Sequence, residues 1–104
     1  MANYEDRLRR LAINNPRQVE DEIGSFSTPV TLDPKMLALT RLASLIAIGG
    51  SEPSFGEQVD AALGAGASTD EIVDMLTGVC SIVGVPRVVS AASKIAMALG
   101  VEQI

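Results

Sequence analysis

The segment "LDPKMLALTRLASLIAIGG", Leu32 to Gly50, constrains the fold of this chain more than any other. Asp33 can accept hydrogen bonds from the open amides of a first helical turn, and Pro34 suits a position where no donor is needed. The pair Gly49-Gly50 supplies the stop, so a helix is predicted up to about Ile48. Its polar residues Thr40, Arg41 and Ser44 form one narrow strip, and the rest from Met36 onward is nearly all apolar. More than one side of such a helix must be covered. The cover has to come from a chain of only 104 residues, enough for one modest core. With 47% hydrophobic but 3% aromatic residues, that core is built from Leu, Ile, Val, Ala and Met, which suits close packing of helix on helix.

The flanking segments supply the rest of an all-α fold. Asn3 to Ala12 places Tyr4, Leu8 and Leu11 on one stripe, and "NNPRQVEDEIG" restarts with Asn15 as cap, Pro16 in the first turn and Gly24 as stop. "SFSTPVT", Ser25 to Thr31, reads as a connector, because Pro29 and the lack of a partner strand argue against a strand. After the central helix, "SFGE" (Ser54 to Glu57) and "STDE" (Ser68 to Glu71) have the form of capping boxes. The first predicts an inward stripe of Phe55, Val59, Ala62 and Leu63, closed by Gly64 or Gly66. The second predicts Ile72, Met75, Leu76, Val79 and Val83 facing inward, with Asp70, Glu71, Asp74, Thr77 and Ser81 opposite. Gly84 and Pro86 break the chain, and a final helix rich in Ser and Ala runs to about Leu99. The expectation is a compact antiparallel bundle of five to six helices, with residues 1–31 as a helical arm and connector and 32–104 as the core.

Charge and composition exclude several functions. The net charge is −5, and the only basic tract, Arg7, Arg9 and Arg10, shares its segment with Glu5 and Asp6. Neither nucleic acid nor a membrane is therefore an expected partner. No apolar run approaches the roughly 18 residues of a membrane span; Arg41, Pro86, Arg87 and Lys94 interrupt the most hydrophobic regions. The Met-Ala start lacks a signal-peptide layout, and a single cysteine, Cys80, fits a reducing cytoplasm. There is no histidine, so the usual zinc sites and all His-dependent acid–base schemes are absent. No metal and no cofactor is expected. A mean hydropathy of +0.29 in so small a chain points to self-association.

In order and spacing, Leu32 to Gly100 resembles the carboxymuconolactone decarboxylase-like family, which includes the alkylhydroperoxidase AhpD. The shared features are the Leu-Asp-Pro-Lys helix start, "AALGAGA", the "STDEI" cap and the Gly-x-Pro break before a small-residue helix. The resemblance implies a helical protomer forming dimers, trimers or hexamers, with a site in the junction "IGGSEPSFGEQ". In the peroxidase branch that junction carries a Cys-x-x-Cys pair, then a histidine, with a glutamate one helix earlier. The thiol positions fall on or next to Gly50 and Pro53, the histidine position on Gln58, and the glutamate position on Ala38. Every member of the redox relay is replaced, so a thiol peroxidase of that design is excluded. The decarboxylase branch typically keeps the histidine and often a tyrosine where this chain has Ile82.

The residues left at the junction define the candidate site. Gln58 sits on the flank of an apolar stripe, either as a hydrogen-bonded boundary residue or as an amide orienting a ligand. Arg41 pairs with a carboxylate across an interface or grips an anionic ligand. Glu52 is the junction carboxylate available as a base, and Glu57 reads as a cap residue. Cys80, without a second thiol or an imidazole, reads as inert. The ligand-binding candidates are thus Arg41, Gly50, Ser54 and Gln58, and the catalytic candidates Glu52 and Gln58. Three functions follow. One is a binding protein for a small apolar or carboxylate-bearing molecule near a subunit interface. Another is a cofactor-free decarboxylase or isomerase acting on a small lactone or keto acid. The third is a non-catalytic assembly partner.

Overall fold

The computed structural model describes residues 4–12, 15–25 and 31–101. The described residues are helical, without strands: α1 (Tyr4–Ala12), α2 (Pro16–Ser25), α3 (Pro34–Ile48), α4 (Glu52–Gly64), α5 (Thr69–Gly78), α6 (Cys80–Val83) and α7 (Val85–Ala98). Two compact units are present, Met1–Thr31 and Leu32–Ile104. The connector expected at Ser25 to Thr31 falls, over 26–30, outside the described residues.

In the first unit α1 and α2 pack against each other. Asn15 caps α2 through its Oδ1, which accepts from the Arg17 amide at 3.1 Å. The helix continues through Gly24 to Ser25, one residue past the expected stop. Tyr4, Leu8 and Leu11 share a stripe of α1 that stays exposed, and Arg9 forms exposed ion pairs with Glu5 and Asp6.

The second unit is built around α3 and α4. Asp33 caps α3, its Oδ1 accepting from the Met36 amide at 2.8 Å, with Pro34 in the first turn. Ala38, Leu42 and Ile46 recur every fourth residue and are buried. They meet Phe55, Val59 and Ala62 of α4 in one core completed by Ile72, Leu76, Ala91 and Ile95. The central helix is covered on several sides, by α4, α5 and α7. Fully burying side chains such as Leu42, Ile46, Phe55 and Ile72 contributes about 1.5–3 kcal/mol each.

Helix ends follow local chemistry. Gly66, at φ +99°, closes α4: its N–H reaches the Leu63 carbonyl and the Ala67 N–H reaches that of Ala62. The same double bond pattern ends α7 at Gly100 and Val101. Ser68 and Glu71 form the expected capping box at the start of α5. Glu71 also meets Lys35 of α3 at 2.8 Å. The hydrogen bond to Lys35, followed by that to the Ser68 backbone, holds the Glu71 carboxyl below its usual range; Glu71 in turn raises the Lys35 amine.

Three expectations are corrected. Helix α4 starts at Glu52 with Ser51 as its cap, not at a Ser54–Glu57 box. Pro53 fits the first turn because it has no amide to satisfy, and this moves Glu52 out of a loop and into a helix. Leu63 lies on the outer flank of α4 and is 38% exposed, outside the buried stripe. The helix after Ser68 is interrupted at Gly78-Val79, where the Ile82 amide bonds three residues back to Val79. Glycine is a poor interior helix residue, and the break there separates α5 from the one-turn α6.

Candidate functional site

The junction between α3 and α4 consists of three residues, Gly49, Gly50 and Ser51. Gly49 adopts φ +79°, a region that side chains disfavour, and its N–H reaches the Leu45 carbonyl at 2.9 Å. Gly50 is required for a different reason: a Cβ there would collide with the packed Leu45 side chain. The Ser51 hydroxyl then accepts from the Ser54 amide at 3.3 Å and donates to the Ser54 hydroxyl at 3.0 Å, so the chain re-enters a helix at once.

Helix α7 holds this junction from the side. The Arg87 guanidinium donates to the Ile48 carbonyl at 3.1 Å, and the Lys94 ammonium donates to the Gly50 carbonyl at 2.6 Å. Carbonyls at a helix C-terminus lack intrahelical partners and carry the negative end of the dipole, so cations are favoured there. Lys94 is half-buried, and its ammonium stands 5.7 Å from the ring centroid of Phe55, itself buried.

The expected site residues are distributed around this frame. The Gly50 carbonyl is held by Lys94, and Ser54 is bonded to Ser51. Gln58 follows Ser54 by four residues on the same flank of α4, is half-buried beside the Phe55–Val59–Ala62 face, and has no side-chain hydrogen-bond partner among the described residues. Glu52 is exposed at the first residue of α4. Arg41 is exposed on the polar strip of α3. Beside it the Thr40 and Ser44 hydroxyls bond back to carbonyls of their own helix, Met36 and Thr40. Among the described residues no hydrogen bond or ion pair ties Arg41 to the junction.

The positions where the resemblance puts reactive groups are inert in this chain. Ala38 is 6% exposed in the core, and Gly50 and Pro53 carry no nucleophile. Cys80 is a half-buried free thiol at the start of α6. Among the described residues no His, Cys, Asp and Glu side chains cluster to hold a metal ion, and no helix is long and apolar enough to cross a membrane. The arrangement offers hydrogen-bond donors and cations rather than a thiolate or an imidazole.

Arg87 and Lys94 are the residues that sequence reading passed over, treating them only as interruptions of apolar stretches. Their signal was the seven-residue spacing, which puts both on one face of α7.

The described residues define an all-α helical bundle in which α3 and α4 are joined by a three-residue turn. Residues 21–98, well over half of the sequence, match the carboxymuconolactone decarboxylase family, and the chain belongs to that family. No curated protein and no solved structure matches it.

Proposed function

We propose that this chain is a carboxymuconolactone decarboxylase-family protein without the thiol peroxidase centre, one that binds a small apolar or carboxylate-bearing molecule at the α3–α4 junction. The observation that carries the reading is Gln58: a half-buried residue whose amide is open to solvent and has no hydrogen-bond partner among the described residues, at the position where the resemblance puts the family's imidazole. A polar group in that setting is completed by a ligand or by water. Gly50, Ser54 and the nearby cations supply further polar contacts, and the exposed side chain of Ile48 at the end of α3 supplies apolar surface. A role as an enzyme using Glu52 would need that carboxylate enclosed, whereas Glu52 is exposed.

Self-association belongs to the same proposal. Ile82, Val85 and Val89 are 86%, 62% and 63% exposed, respectively, an outlay of apolar surface that copies of the chain can cover. The single cysteine suits a cytoplasmic setting.

The test is an amide-resolved NMR titration of the full chain with a library of small apolar acids and their neutral analogues. Saturable shifts at Gly50, Ser54 and Gln58, weakened in Gln58→Leu, are expected. A library that leaves all three resonances unmoved would remove the ligand site. Light scattering at micromolar concentration is expected to give a multiple of the 10.9 kDa protomer.

A further inference from the structure

We infer that Arg87 and Lys94 are the anion-recognising half of this junction and hold the carboxylate of its ligand, an inference that rests on the reading of the junction as a ligand site. The two cations stand seven residues apart on α7, two turns or about 10 Å along one face, and reach the end of α3 and the turn that follows it. Their hydrogen-bond acceptors, the carbonyls of Ile48 and Gly50, are two residues apart in the chain.

Capping those carbonyls uses only part of what the two groups offer. An ammonium has three donors and a guanidinium five. Lys94 makes one hydrogen bond, and Arg87 one through its Nη1. Among the described residues neither has a carboxylate partner, although acidic residues outnumber basic ones 13 to 8. Arg9, in contrast, meets two, and Lys35 meets one. Lys94 is thus a half-buried ammonium with donors to spare. Its position over the Phe55 ring, at the edge of the core, lowers the local dielectric and strengthens its attraction for an anion. The guanidinium adds a planar fork that matches a carboxylate. Two cations with spare donors, next to the exposed Ile48, suit a small monocarboxylate with an apolar body.

The probes are benzoate and its neutral analogue benzamide, titrated into the full-length protein and read from the amide shifts of Gly49, Gly50 and Gln58. Benzoate is expected to bind saturably and at least about tenfold more tightly than benzamide, with affinity falling as salt rises. Lys94→Gln keeps a donor for the Gly50 carbonyl but removes the charge, and is expected to lose at least about tenfold in benzoate affinity while remaining folded; Lys94→Arg is expected to restore it. Arg87→Gln should behave like Lys94→Gln. Benzoate binding unchanged in both glutamine variants would overturn the cation pair and leave the junction standing as a ligand site. Equal affinity for benzoate and benzamide would do the same. No saturable benzoate shift at the junction would overturn the pair directly.

Discussion

The Lys94 ammonium donates to the carbonyl oxygen of Gly50 across 2.6 Å, which fastens the last helix of the bundle to the turn between α3 and α4. A charge-assisted bond to a backbone carbonyl is worth more than a neutral one. Lys94→Met is therefore expected to lower unfolding free energy by about 1–2 kcal/mol, read from urea denaturation, while Lys94→Gln recovers part of the loss. Equal stability of the methionine variant and the parent would mean that the bond contributes nothing in solution.

The caps of α4 give a second prediction. Ser51 caps this helix and Ser54 lies inside its first turn. Ser51→Ala is expected to cost about 1 kcal/mol and Ser54→Ala only a few tenths. The reverse order in thermal melts would restore the Ser54–Glu57 start read from the sequence.

Glycine positions separate strain from mere flexibility. Gly49 has φ +79°, and a Cβ there would run into the Arg87 guanidinium. Gly49→Ala should destabilise by about 1–3 kcal/mol. Gly56, within α4, has nothing within 4 Å of an added Cβ, so Gly56→Ala should stabilise by about 0.5–1 kcal/mol. Matching effects at the two sites in chemical denaturation would contradict the geometry.

The pair between Lys35 and Glu71 sets a pH dependence. The folded Glu71 carboxyl titrates below its ordinary value of 4.5, so its contribution is present above that value and is lost as pH falls through the lower folded value. Lys35 is raised above 10.5, so its contribution is complete below that value and is lost as pH rises through the higher folded one. Glu71→Gln keeps an acceptor for the Ser68 amide but removes the charge. The melting temperature of this variant is expected to fall less steeply in acid than that of the parent. Parallel acid limbs would show that the pair is screened out in solution.

Much of the fold was legible because its signals are short. Asp33 with Pro34, the Ser68–Glu71 box and the break at Gly84 each act within about four residues, and each stands where the sequence put it; Pro86 sits in the first turn of α7 instead of breaking the chain. The start of α4 was harder. Ser51 and Ser54 both precede a plausible first turn, and choosing between them depends on where Pro53 is tolerated, not on the serines. The site was legible only in outline. The flank position of Gln58 follows from its spacing to Phe55, but the partners of Arg87 and Lys94 are backbone carbonyls, 39 and 44 residues away, which no side-chain pattern announces. Arg41, a lone charge in an apolar helix, lies exposed on the polar strip of α3.

That long separation also orders events during synthesis. A nascent chain that has emerged only as far as α5 contains α3, the turn and α4, but none of the cations that hold the turn. The corner can wobble until α7 leaves the ribosome. Its rigidity is thus acquired only once α7 has emerged, and cleavage ahead of Val85 would return it to that unfinished condition.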